Sequence, residues 1–93
     1  MTISRTAALA PSEDMISSEV DGEVMLISIS SGRYFALDGI GSEIWRRLQA
    51  PMSFDALSAA LQEHFAGDSA TIDAEAYAFV TKLVDRGLIT AQQ

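Results

Sequence analysis

"SGRYFALDGIGSEIW", Ser31 to Trp45, changes its hydrophobic period partway along, and that change decides the fold. Ser31-Gly32 is a turn pair, and Arg33 to Leu37 is rich in strand-forming residues. From Asp38 onward the apolar residues Ile40, Ile44, Trp45 and Leu48 recur at helical spacing. Asp38, or Ser42 for a slightly later start, suits the N-cap. The segment is a strand running into a helix around one tight corner.

Upstream, "MISSEV" (15–20) and "EVMLISIS" (23–30) read as strands joined by Asp21-Gly22, a strong hairpin signal. The second carries apolar residues on both faces, which predicts a central, covered strand. Downstream, Ala50-Pro51 ends the first helix, because the residue before proline resists the helical region. Ser53 opens a second helix, with Met52 and Leu57 placed as a hydrophobic staple and Asp55 in the first turn. Phe54, Leu57, Leu61 and Phe65 form its buried stripe, and Gly67 stops it. A third helix is predicted from Thr71 or Asp73 to the terminator Gly87, with "LIT" as a short extended piece after it.

The fold class is therefore α+β, a three-stranded antiparallel sheet followed by three helices (βββααα). Residues 1–12 read as a flexible tail, 13–90 as a single domain, and 91–93 as a C-terminal tail. In the third helix Ala76, Phe79 and Leu83 share one line, and Tyr77, Val80 and Val84 widen the apolar arc to roughly 160°, beyond the ~100° stripe that one core contact needs. Such an arc is either all core or core on one side and groove wall on the other. Trp45 reads as a core anchor.

The bulk properties exclude several function classes. The chain has 93 residues, 48% of them hydrophobic, which suits one folded domain. It has no cysteine, hence no disulfide or thiolate chemistry, in keeping with a reducing cytoplasm. No signal peptide or membrane-spanning run is apparent. A net charge of −7 with only six Lys and Arg argues against nucleic acid as a partner. "SFDALSAALQEHF" carries no lysine or arginine, which ranks a DNA-reading helix low. The single histidine, His64, has no metal-ligand companions and no oriented base partner, so neither a zinc site nor a nucleophile is expected. "DGIGSE" fits neither the dinucleotide nor the P-loop spacing. No enzyme, metal or cofactor is expected.

Taken together, "GRYFALD", "IGSEIW" and "FVTKLVDRGLI" in this order resemble the PqqD-like family of leader-peptide recognition elements, over roughly residues 13–90. "SISSGRYFALD" replaces the proline-glutamate-glycine type segment associated with the quinone-cofactor members. The likeness is therefore nearer to the stand-alone recognition proteins (B1-type) of lasso peptide pathways. The resemblance implies a winged helix-turn-helix-like domain that binds the leader of a precursor peptide as an extra strand. It implies as partners a leader-cleaving protease (B2-type) and a cyclase; the alternative is service to another modifying enzyme such as a radical SAM protein. Carried over, the peptide-binding edge is Arg33, Tyr34, Phe35, Ala36 and Leu37, and the facing helix wall is drawn from Asp73, Ala76, Tyr77, Val80 and Val84. Period-two alternation puts Phe35 and Leu37 toward the core, and Tyr34 on the other face. Helix capping competes for Asp73. The reading from a different class is a winged-helix DNA binder, ranked low on charge. A second alternative is a structural, self-associating module, since an open strand edge would also serve a strand-exchanged homodimer.

Overall fold

The structure, a computed structural model, describes residues 3–92. Its elements are β1 (Ala8–Pro11), β2 (Met15–Val20), β3 (Glu23–Ser28), β4 (Tyr34–Ala36), α1 (Gly39–Arg47), β5 (Met52–Ser53), α2 (Phe54–His64), α3 (Ser69–Asp85) and β6 (Ile89–Gln92). The expected meander and three helices are present in the expected order. A second sheet, β5-β1-β6, accompanies the meander β2-β3-β4, and all pairings in both are antiparallel.

The hairpin follows from its turn. Asp21 and Gly22 take φ of 53° and 83°, the left-handed pair whose twist matches the flanking strands. That fixes a six-pair register from Met15↔Ser28 to Val20↔Glu23. Only one face of β3 is covered, however. Val24 and Leu26 are buried, whereas Ile27 is 46% exposed, in line with Ile16 on β2 and Tyr34 on β4. α1 packs on β3 from the side of Val24 and Leu26, so centrality in the sheet did not bring cover on both sides.

Asp38 caps α1 by accepting from the Gly41 N–H at 3.0 Å, and Ser53 caps α2 by accepting from the Ala56 N–H at 3.1 Å. α3 begins earlier than predicted. The Asp68 carboxylate accepts from both the Thr71 N–H (2.9 Å) and its hydroxyl (3.0 Å), so Thr71 lies in the first turn rather than before it. Trp45, with 3% exposure, is a core residue as expected. No helix among the described residues is long and apolar enough to cross a membrane, and none of their His, Asp and Glu side chains group to hold a metal ion.

The largest correction concerns residues 1–12. Met1 and Thr2 lie outside the described residues, but Ile3, Ala7 and Leu9 are buried, and β1 is the central strand of its sheet. Ala91 and Gln92, expected as tail, pair with Leu9 and Ala8; Gln93 lies outside the described residues. Arg5 ties the segment to the helices. Its guanidinium donates to Asp55 at 2.8 Å and to Asp73 at 2.6 Å, and lies 4.9 Å from the centre of the Phe54 ring. The Tyr77 hydroxyl donates to the Ile3 carbonyl at 2.6 Å.

The Arg5 guanidinium, and after it the Ser58 hydroxyl, hold the Asp73 carboxyl below the usual carboxylate range. An acid whose folded pKa lies below its unfolded value of about 3.9 stabilises the fold above that pH and loses this contribution as pH falls toward the folded value. The melting temperature of Asp73→Asn should therefore fall less than that of wild type between pH 4 and lower pH, roughly the window set by the unfolded value. Parallel pH profiles for the two proteins would show that the Arg5–Asp73 pair contributes nothing to stability.

Candidate functional site

β4 is an edge strand, and its register states which main-chain groups are free. The Ser28 N–H donates to the Arg33 carbonyl (2.7 Å), and the Leu37 N–H donates to the Val24 carbonyl (2.9 Å). Residues 33, 35 and 37 are thus the ones bonded to β3, because bonded and non-bonded pairs alternate along an antiparallel ladder. Tyr34 and Ala36 consequently turn their N–H and C=O groups to the open edge.

The side chains sort by the same alternation. Tyr34, 71% exposed, and Ala36 lie on the outer face. Arg33, half-buried Phe35 and buried Leu37 lie on the inner one. There a groove opens between β4 and the C-terminal half of α3. Phe35 and Leu37 line it on the strand side, and Phe79, Lys82, Leu83 and Arg86 on the helix side. It continues past Phe35 and Arg86 to Arg33 and the loop bearing Ser30 and Ser31.

The strand residues of the predicted site are thus brought together beside a groove. The five predicted helix residues lie elsewhere on α3, and none of them lines this cavity. Ala76 and Val80 are fully buried, and half-buried Val84 packs against the core. Asp73 and Tyr77 are engaged by Arg5 and by the Ile3 carbonyl. The wide apolar arc does bury two surfaces, but one of them is occupied by the chain's own N-terminal segment. The residues that face β4 follow helical spacing from Phe79 (79, 82, 83, 86), a pattern present in the sequence. Lys82 and Arg86 stand at the C-terminal end of α3, where the helix dipole by itself accounts for basic residues, so the sequence carries no separate signal for them.

The corner between β4 and α1 sets the groove's shape. A Cβ on Gly41 would stand 2.6 Å from Cζ of Phe79, so a residue without a side chain lets that ring lie against α1 and form the groove wall. Ser42 is fully buried and does not cap the helix. Its hydroxyl accepts from the Val24 N–H (2.9 Å) and donates to the Leu37 carbonyl (3.0 Å), bridging the last pair of the β3–β4 ladder.

A family model described as Coenzyme PQQ synthesis protein D (PqqD) matches residues 23–89. A solved structure, described as TbiB1 in complex with the TbiA(beta) leader peptide, is similar with a TM-score of 0.80 and 27% sequence identity. The similarity covers 87% of this chain and 94% of that one. No curated protein matches the sequence. The family match runs from β3 through the corner, the groove and α3 into β6, well over half of the sequence, and the chain belongs to the PqqD family.

Proposed function

We propose that this protein binds the leader segment of a ribosomally made precursor peptide as an added antiparallel strand along β4. It then presents the peptide to a leader-cleaving protease and a cyclase of a lasso pathway. It acts in the cytoplasm and performs no bond chemistry; its contribution is effective concentration and orientation. Main-chain hydrogen bonds supply generic affinity in this mode, and alternate side chains entering a groove supply selectivity.

The observation that carries the reading is the pairing of an open edge with a groove. Tyr34 and Ala36 offer free main-chain groups directly beside the cavity under Phe35, in a chain that shares its fold with a protein solved with a leader peptide bound. The nearness to TbiB1 favours the lasso pathway over a radical SAM partner.

Ala36→Pro tests it. The Ala36 N–H is not used by the β3–β4 ladder, and proline is tolerated on an edge strand. The fold should survive, with a normal circular dichroism spectrum and melting temperature. The leader encoded beside this gene, labelled and followed by fluorescence anisotropy, should bind about tenfold more weakly or worse, since one strand bond is lost and the ring obstructs the incoming chain. Unchanged affinity in the folded variant would remove β4 as the binding edge.

A further inference from the structure

We propose that the segment taken by this groove is acidic: an extended peptide with an apolar residue over Phe35, Phe79 and Leu83 and a carboxylate on the same face meeting Lys82 and Arg86. This rests on the leader-binding reading and names the chemistry that the site selects.

The argument is the distribution of positive charge. The chain carries −7 and has only six basic residues. Three of them are neutralised within the fold. Arg5 pairs with Asp55 and Asp73, Arg46 with Glu19 and Glu43, and Arg47 with Glu43. The other three, Arg33, Lys82 and Arg86, form no ion pair among the described residues, and all three line the groove. Thirteen acidic residues were available to pair with them. Two carboxylates border the groove; both are hydrogen-bonded to neutral donors rather than paired with these three cations, which outnumber them. Asp14 accepts from the Ser28 and Ser30 hydroxyls and the Ser30 N–H, and Asp38 accepts from the Gly41 N–H. A solvated acidic surface needs no explanation, but this concentration of unpaired cations on an acidic protein marks the groove as the place where an anionic partner loses least by approaching.

The spacing suits a strand. Lys82 and Arg86 are four residues apart on one face of α3, displaced by about 6 Å along the helix. Groove-facing residues of an added strand recur about every 6.8 Å. An apolar side chain and a carboxylate two positions from it can therefore occupy the apolar floor and reach one of the two cations together. Arg86 borders both parts of the groove, and Arg33 extends the positive rim beyond it. Selectivity then has two parts: apolar burial fixes the register, and charge rejects lysine- or arginine-bearing segments.

The test uses the labelled leader encoded beside the gene, together with a version in which every Asp and Glu is changed to Asn or Gln. Both are titrated against wild type, Lys82→Glu/Arg86→Glu and Lys82→Gln/Arg86→Gln, at low and high salt, with folding of each variant checked by circular dichroism. Wild type should bind the native leader and lose it with rising salt. Neutralising the leader's acids should weaken binding at least tenfold, as should either double variant. A leader with every Asp and Glu changed to Lys should bind the Lys82→Glu/Arg86→Glu protein better than wild type. If the neutralised leader binds wild type as tightly as the native one, the acidic recognition is wrong while leader binding stands. If wild type binds neither leader, the leader-binding reading falls and this proposal with it.

Discussion

Leu9→Ala should destabilise the protein by roughly 2–5 kcal/mol, the usual loss for a buried leucine truncated where its surroundings collapse only partly. Leu9 has 0% exposure, sits in the central strand of the β5-β1-β6 sheet, and pairs with Met52 on one side and Ala91 on the other. A domain of this size has about 5–15 kcal/mol in all, so the loss is a large share of it. Urea denaturation would show it as a lower midpoint with an unchanged slope. Removing residues 1–11 goes further: β5 and β6 lose the strand that pairs with both, Ile3 and Leu9 leave the core, and the Arg5 contacts disappear. That truncation should yield no cooperative transition. A loss below about 1 kcal/mol for Leu9→Ala, against the range expected for a core leucine, together with a cooperative truncated protein, would mean that β1 merely decorates a self-sufficient domain.

This strand is also the clearest case of what a sequence conceals. "ALAP" has no run of β-branched or aromatic residues, and it ends in a proline. Its partners, "ITAQ" and the two residues Met52 and Ser53, lie about half a chain or more away in sequence. Each piece is too short and too weak in local preference to announce a strand; only the three together bury Leu9. The hairpin at Asp21-Gly22, the caps at Asp38 and Ser53, and the edge at Arg33 to Leu37 were legible, because each rests on neighbouring residues. The helix wall was not, because helical periodicity states which residues share a face and not what that face meets. Asp73 and Tyr77 share their face with a segment that the sequence presents as a tail, and Phe79 reaches β4 because Gly41 leaves room for it.

Ser42→Ala should cost roughly 2–4 kcal/mol, more than its size suggests, because two buried main-chain groups lose their partner and each such loss costs about 1–3 kcal/mol. In an unbroken ladder Leu37 and Val24 would exchange two direct bonds. Here the Leu37 N–H reaches the Val24 carbonyl directly, and the return bond runs from the Val24 N–H through the Ser42 hydroxyl to the Leu37 carbonyl. The hydroxyl is thus spliced into the sheet, and it fixes α1 to the end of β4 at the point where the chain leaves the edge strand. A methyl group in its place offers the Val24 N–H nothing, and water has little access to a residue with 0% exposure. Alanine should therefore lower the denaturation midpoint. Measured where the variant is still folded, it should also weaken leader binding, because the inward set of Leu37 and the angle of α1, against which Phe79 rests, both depend on that bridge. Should the strands simply close up, so that the Val24 N–H meets the Leu37 carbonyl directly, the loss would stay below about 1 kcal/mol, in the range of a single net hydrogen bond. Affinity would then be unchanged, and the corner's geometry would have to be attributed to Asp38 and Gly41 alone.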